Sequence, residues 1–300
     1  MGMVPTINMT PNGPVFSRII QGYWRMSDWQ WNSQQHLSFI KQHVELGITT
    51  VDHAHVYGNP AAETLFGGAL KLDPSLREKI QVVSKCGINV GDGCSITHYD
   101  SSKNAILTSV ETSLTRLGIE HLDLLLIHRP DYLMDIDEVA CAFEELNASG
   151  KVRYFGVSNF TVAQFSLLQS RLNDPLVTNQ VEINPMNMSA LDNGTLDDLQ
   201  RRRIIPMAWS CLAGGRVLSE QSEQAIRLRG TLISLTEELG AEFMDQVIYA
   251  WVMRLPCSPA IILGSGNVKR IRSAVNSLTL QMSREQWYRV WVAAKGHGVP

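Results

Sequence analysis

Eight short runs rich in Val, Ile and Leu recur along this chain, separated by stretches long enough for a helix. They are RIIQG (18–22), TTVDH (49–53), IQVVSK (80–85), LDLLLIH (122–128), YFGVSN (154–159), VTNQVE (177–182), IIPMAWS (204–210) and AIILGS (260–265). Most are apolar without strict alternation, as strands covered on both faces must be. Between them lie amphipathic patterns. In QQHLSFIKQHVELG, Leu37, Ile40, Val44 and Leu46 mark an apolar face and Gly47 is a stop. In SSKNAILTSVETSLTRLG, Ile106, Val110, Leu114 and Leu117 line up and Gly118 closes the helix. Eight strand–helix units predict an α/β fold, a closed (β/α)8 TIM barrel. No G-x-G-x-x-G follows the first run, which argues against an open dinucleotide-binding sheet.

The 300 residues suit a single barrel domain over 1–300 with additions at both ends. TINMTPNGPVFS predicts an N-terminal β-hairpin turning at Pro11-Asn12-Gly13 that caps the barrel floor. The interval 211–259 is too long for one connection and predicts a loop and two helices. MSREQWYRVWVAAKG predicts a last helix with Trp287 and Trp291 on one side. Apolar residues make up 44%, charged residues 18%, and the formal charge is −3. No basic stripe argues for nucleic acid, and no apolar run is long enough to span a bilayer. The first residues lack a secretory signal. Gly2 and Thr6 match the loose N-myristoylation pattern, but Pro5 and the lack of a polybasic patch make that a coincidence. Five cysteines, at 86, 94, 141, 211 and 257, include no C-x-x-C. They suit a reducing, cytoplasmic setting, and a monomer is the default expectation.

Polar groups sit where the runs end. Asp52 closes the second and Tyr57 follows it in VDHAHVYGN. Lys85 ends the third and His128 the fourth. In a parallel barrel those ends share the face that carries chemistry. A free phenol ionises near about pH 10, and a close ammonium lowers that by about 1–3 units, toward the working range. Tyr57 is therefore the candidate general acid, with Lys85 tuning it, Asp52 holding Lys85, and His128 orienting a substrate oxygen. Singly, each has a bland alternative: a packed aromatic, a solvated lysine, a cap, a core histidine. Their gathering at three consecutive strand ends favours the functional alternative. His53 and His55 form an H-x-H pair that suggests a metal-dependent hydrolase. No further histidine stands at a later strand end, so they are taken as loop residues near the pocket and no metal is expected.

The strings VDHAHVYG, VSKCG, DLLLIHRPD, GKVRYFGVSNF, NQVEINP and MAWSCLAGG, in that order, resemble the aldo-keto reductase family over nearly the whole chain, in particular its bacterial YdhF-type oxidoreductases. The resemblance implies a nicotinamide-dependent reductase of aldehydes or ketones with the tetrad Asp52, Tyr57, Lys85 and His128. It implies that Ser158, Asn159 and Gln180 hold the nicotinamide amide and that Trp209 stacks on its ring, a core Trp being the alternative. Tyr23, Trp24, Asp52, Ser210 and Leu212 are assigned to the cofactor as well. LAGG, with Gly214, and Arg216 would cover the pyrophosphate. GSGNVKR opens a helix, where backbone N–H groups favour phosphate. Ser265 and Arg270, with Lys269 nearby, are placed at a ribose 2′-phosphate, hence NADPH, and Gly264 and Asn267 are assigned to the cofactor. Gly264 stands where many relatives carry lysine, and Ser273 and Ala274 where many carry Glu-Asn. Trp24, Tyr57, His128 and Tyr132 are assigned to a small carbonyl substrate at an aromatic mouth that includes Tyr23, Trp29, Trp31 and Met134. Local packing under a loop is the competing account of those rings. A regulatory subunit that binds NADPH to sense redox state is the alternative function.

Overall fold

A computed structural model describes residues 3–59, 61–90 and 95–300. Gly2 and Cys94 lie outside them, and with Gly2 the question of myristoylation. Strands β1 (Thr6–Asn8) and β2 (Val15–Ser17) pair antiparallel. The barrel is β3 (Ile19–Gly22), β4 (Thr50–Asp52), β5 (Gln81–Cys86), β8 (Leu122–Ile127), β9 (Val152–Ser158), β10 (Asn179–Glu182), β11 (Met207–Trp209) and β12 (Ala260–Leu263), all parallel and closed. A small ribbon, β6 (Ile88–Asn89) with β7 (His98–Tyr99), sits in the loop after β5. Sequence periodicity missed that ribbon because two-residue strands carry no period.

The helices are α1 (Ser33–Glu45), α2 (Ala62–Leu70), α3 (Lys103–Leu117), α4 (Ile136–Ala148), α5 (Val162–Gln169), α6 (Ser189–Asp192), α7 (Thr195–Arg202), α8 (Arg216–Ser219), α9 (Glu223–Leu239), α10 (Met244–Met253), α11 (Val268–Asn276) and α12 (Arg284–Lys295). The two expected stops hold. Gly118 caps α3 at φ +65°, and Gly47 follows α1 at φ +84°. The interval after β11 carries the two expected helices, α9 and α10, and one more, the four-residue α8, inside the stretch expected to be loop. On α12, Trp287 stacks on Trp251 with centroids 4.9 Å apart. All eight runs form barrel strands. The seventh starts at Met207 rather than 204, because Pro206 has no N–H for the ladder.

The pleat sorts side chains into two cores. Ile20, Val83, Leu124, Leu126, Met207, Ala260 and Ile262 fill the barrel interior. Met9 and Phe16 of the hairpin join them and are fully buried, so the hairpin closes the N-terminal end. The alternate residues, among them Ile19, Val51, Val82, Leu125, Ile127 and Ile261, face the helix ring. Period two then carries Val83 to Lys85 and Leu126 to His128, lifting those side chains from the interior to the C-terminal mouth.

Between β3, β4 and α1 lies a buried aromatic cluster. His53 stacks on Tyr23 (4.8 Å, 4°), and Tyr23 OH meets His43 Nε2 at 2.8 Å. Neither ring nitrogen of His53 has a partner. Burial pushes His43 down to about 4. Burial, with the Lys85 charge adding, pushes His53 down to about 3. In the unfolded chain both protonate near 6.5, so between 6.5 and those values the unfolded state binds more protons. Stability should therefore fall as pH drops below about 6.5, by roughly 1.4 kcal/mol per pH unit and per histidine at most. His53→Phe should flatten that acid limb in urea titrations run across the pH range. An unfolding midpoint level from neutral pH down to about 4 would contradict the linkage.

Candidate active site

Lys85 organises the mouth. It is almost fully buried, and its ammonium donates to three acceptors: Asp52 Oδ2 at 2.7 Å, the His53 carbonyl at 2.8 Å and Tyr57 OH at 3.0 Å. Three donors thus meet three acceptors, which fixes the ammonium in place. Asp52 gives its other oxygen, Oδ1, to Gln180 Nε2 at 2.8 Å. Because Tyr57 OH accepts from Lys85, its own hydrogen is left to point elsewhere. The His128 ring stands edge-on to Tyr57 with centroids 5.7 Å apart. The four residues read from three strand ends are therefore assembled in one cluster.

The electrostatics differ from the expectation in one respect. Desolvation pulls Lys85 down, but Asp52 and Tyr57 outweigh it, and the net shift is upward. The Tyr57 phenol is not brought toward neutrality. Its ring keeps some exposed surface, yet burial raises it, Asp52 adds to that, and the lowering by Lys85 and Arg129 only partly compensates. His128 is held well below its ordinary value by desolvation and by Lys85, Arg129 and His55, so it is neutral. Its Nδ1 is buried without a partner. Neutral imidazole and protonated phenol are both hydrogen-bond donors, which suits polarisation of a carbonyl oxygen.

The residues on the facing rim are interlocked. Asn159 Nδ2 donates to Ser158 Oγ at 2.8 Å, Ser158 Oγ donates to the Gln180 carbonyl at 2.8 Å, and Trp209 Nε1 donates to Asn159 Oδ1 at 3.2 Å. Asn159 sits in the left-handed region at φ +59°, as do Ser210 (φ +54°) and Ala213 (φ +52°) in the loop after β11. Such strain clusters where a loop is shaped for a ligand. Gly214 and Gly215 continue it at φ +69° and +98°, and half-buried Leu212 packs on the core beside it. Arg216 turns back on that loop, donating to the Ala213 carbonyl and pairing with Glu220 at 3.5 Å. At the start of α11, Asn267 accepts from the Lys269 N–H at 2.9 Å, and Ser265 Oγ accepts from the Asn267 N–H at 3.2 Å. Lys269 and Arg270 are exposed on the first turn. Gly264 is open, with space for a side chain.

A family model described as the aldo/keto reductase family matches residues 18–293. The chain belongs to that family. It is 54% identical to the oxidoreductase YdhF of Escherichia coli, covering 99% of this chain and 100% of the relative. It is 42% identical to a 6-dehydroglucose reductase of Agrobacterium fabrum, covering 94% and 96%. Among solved structures it resembles a thermostable aldo-keto reductase in complex with epalrestat, at TM-score 0.81 and 25% identity, covering 96% and 99%. Membership makes the protein an oxidoreductase of carbonyl chemistry, in a family that generally uses a reduced nicotinamide cofactor. No helix among the described residues is long and apolar enough to cross a membrane.

Several residues assigned to this aldo/keto reductase mouth lie elsewhere. Tyr23 is fully buried against His43, His53 and Phe66, so its side chain cannot reach a cofactor. Trp29 and Trp31 pack with each other and with Phe39, which makes local packing the right account of them. Trp24 and Tyr132 do stand exposed, at 59% and 95%. His53 is a core residue, not a loop residue by the pocket. His55 Nδ1 is tied to the Lys85 carbonyl at 2.8 Å. Ser273 is buried and bonded to Asp245 at 2.9 Å, and Ala274 lies in the core, so neither is free for adenine. Two residues escaped sequence reasoning. Glu63, fully buried on α2, accepts from Ser84 Oγ at 2.7 Å just behind Lys85. Arg129, inside the quoted string DLLLIHRPD, reaches over the Trp209 ring.

Proposed function

We propose that the chain is an NADPH-dependent reductase of aldehyde or ketone carbonyls with Tyr57 as its general acid. One observation carries this: the buried Lys85 ammonium, anchored by Asp52, donates to the Tyr57 oxygen at 3.0 Å. The bound dinucleotide would supply the hydride. The chain must then deliver a proton to the oxygen that becomes an alkoxide. A phenol with a raised pKa still does so, because it remains far more acidic than an alcohol. The raised value also keeps the proton on Tyr57 at neutral pH, where the acid form is the one required. As the proton leaves, negative charge grows on the phenol oxygen beside the ammonium, and that charge is stabilised in the transition state more than in the ground state. His128, neutral, would orient the substrate oxygen.

The donor set fits the cofactor. Ser158, Asn159 and Gln180 offer amide and hydroxyl groups on one rim, and Trp209 offers a ring face. Gln180 also holds Asp52, so its remaining capacity for a carboxamide lies mainly in its oxygen. The strained loop 210–215 and the start of α11 suit phosphates. Arg270 and Lys269 have no ion pair among the described residues, which supports a 2′-phosphate there. Two relatives carry the name 6-dehydroglucose reductase, which supports the reductive direction.

The test is loss of reduced-nicotinamide absorbance with a panel of aldehydes, quinones and dicarbonyls. Turnover supports the reductase. Tight NADPH binding with no turnover of any carbonyl assigns the barrel to cofactor sensing instead. Arg270→Ala should weaken NADPH by roughly 10- to 100-fold, the worth of hydrogen bonds to a charged group, and NADH by far less. Equal weakening of the two would remove the phosphate from Arg270.

A further inference from the structure

Arg129 follows His128 at the end of β8 and is half-buried. Its guanidinium lies 5.6 Å from the centroid of the Trp209 ring. Among the described residues it makes no hydrogen bond and no ion pair. The nearby acids are all committed. Asp52 serves Lys85 and Gln180. Asp131 accepts from the backbone N–H groups of Ser101 and Leu133. Glu182 accepts from the side-chain amides of Asn184 and Asn187. Glu63 lies behind β5 with Ser84 and Arg116.

A half-buried guanidinium with no anion in contact keeps its N–H donors available for one. This one stands where the chemistry is, for its charge acts on both Tyr57 and His128. In the tetrad Asp52 and Lys85 cancel, and His128 and Tyr57 are uncharged. Arg129 therefore adds a positive charge beside the tetrad that no carboxylate touches among the described residues. A guanidinium resting on an aromatic face, with its fork of N–H donors unspent, is matched in geometry by a planar carboxylate.

We propose that Arg129 is a substrate-recognition residue that anchors a carboxylate, so that the favoured substrates are aldehydes or ketones bearing a carboxylate group. This rests on the reductase assignment above. A phosphate dianion fits less well, because a second free cation is wanting: Lys85 is spent on Asp52, His53 and Tyr57. Exposed Trp24 and Tyr132 provide apolar surface for the body of such a substrate.

The full-length enzyme with NADPH is assayed on two matched pairs: succinic semialdehyde against butanal, and para-carboxybenzaldehyde against para-nitrobenzaldehyde. In the wild type the carboxylate member of each pair should gain. Arg129→Gln should cut the carboxylate-over-neutral ratio of kcat/KM by roughly 10- to 100-fold, chiefly through KM, and more salt should narrow the wild-type ratio. Calorimetry of the oxidised-cofactor complex with γ-hydroxybutyrate gives a readout without turnover, and the variant should lose that binding. An unchanged ratio, a fall confined to NADPH affinity, or a stronger preference for a phosphorylated aldehyde would each overturn the inference. No turnover of these aldehydes or of any carbonyl in the wider panel would overturn the reductase assignment. Calorimetry would then decide the anion site by itself: carboxylate binding lost in Arg129→Gln sustains it, and no binding to the wild type ends it.

Discussion

Tyr57→Phe is expected to lose about 10²- to 10⁴-fold in reductive turnover, the usual worth of a positioned general acid. Phenylalanine keeps the ring and its packing beside His128 but removes the phenol proton proposed for the substrate oxygen. The scaffold should survive. Lys85 loses one of three acceptors and retains Asp52 Oδ2 and the His53 carbonyl. Cofactor affinity should therefore stay within about threefold, since the role proposed for Tyr57 is proton delivery and not binding. Loss of NADPH affinity in step with turnover would make Tyr57 a structural residue. The pH profile gives a second check. Burial raises the phenol above its ordinary value of 10.0 despite Lys85. The acid form is then present through the neutral range, so reduction should not decline between about pH 7 and 9 on account of Tyr57. Had the ammonium won over burial, the rate would fall as the phenol lost its proton in that window.

The contrast between burial and charge also explains what the chain discloses before it folds. The barrel is legible because a strand covered on both faces must be apolar throughout, and eight such runs leave few architectures. Lys85 and His128 are legible because a polar side chain directly after an apolar run must emerge at its end. Direction is harder. GYWRMSDWQW announces aromatic surface but not which way it turns, and Tyr23 turns into the helix layer while Trp24 turns out. Partnership is harder still. Gln180 meets Asp52 across 128 residues of chain, so its second task is invisible locally. Arg129 reads as one more solvated arginine until every nearby acid is found engaged. The direction of the Tyr57 shift needs the depth of the site, which residue identities and spacing do not contain.

Lys85→Met should be the most damaging change to the fold and the chemistry together. It removes the ammonium proposed to stabilise charge on Tyr57 as the proton leaves, a preorganised electrostatic role worth about 10²- to 10³-fold in turnover. It also strands Asp52, which is only 2% exposed, with Gln180 as its remaining side-chain partner. Breaking a buried pair from one side costs about 3–5 kcal/mol, because the orphaned charge stays buried. The two losses have different origins and can be separated. Adding Asp52→Asn to Lys85→Met removes the stranded charge while keeping an oxygen for the Gln180 amide. That double variant should regain most of the stability measured in urea, yet recover none of the turnover, since the ammonium is still missing. The coupling expected in a double-mutant cycle is therefore large for stability and small for rate. Turnover restored along with stability would mean that the buried pair merely holds the barrel together. Lys85 would then owe its place to Asp52 alone, and the 3.0 Å contact with the phenol would carry no chemistry.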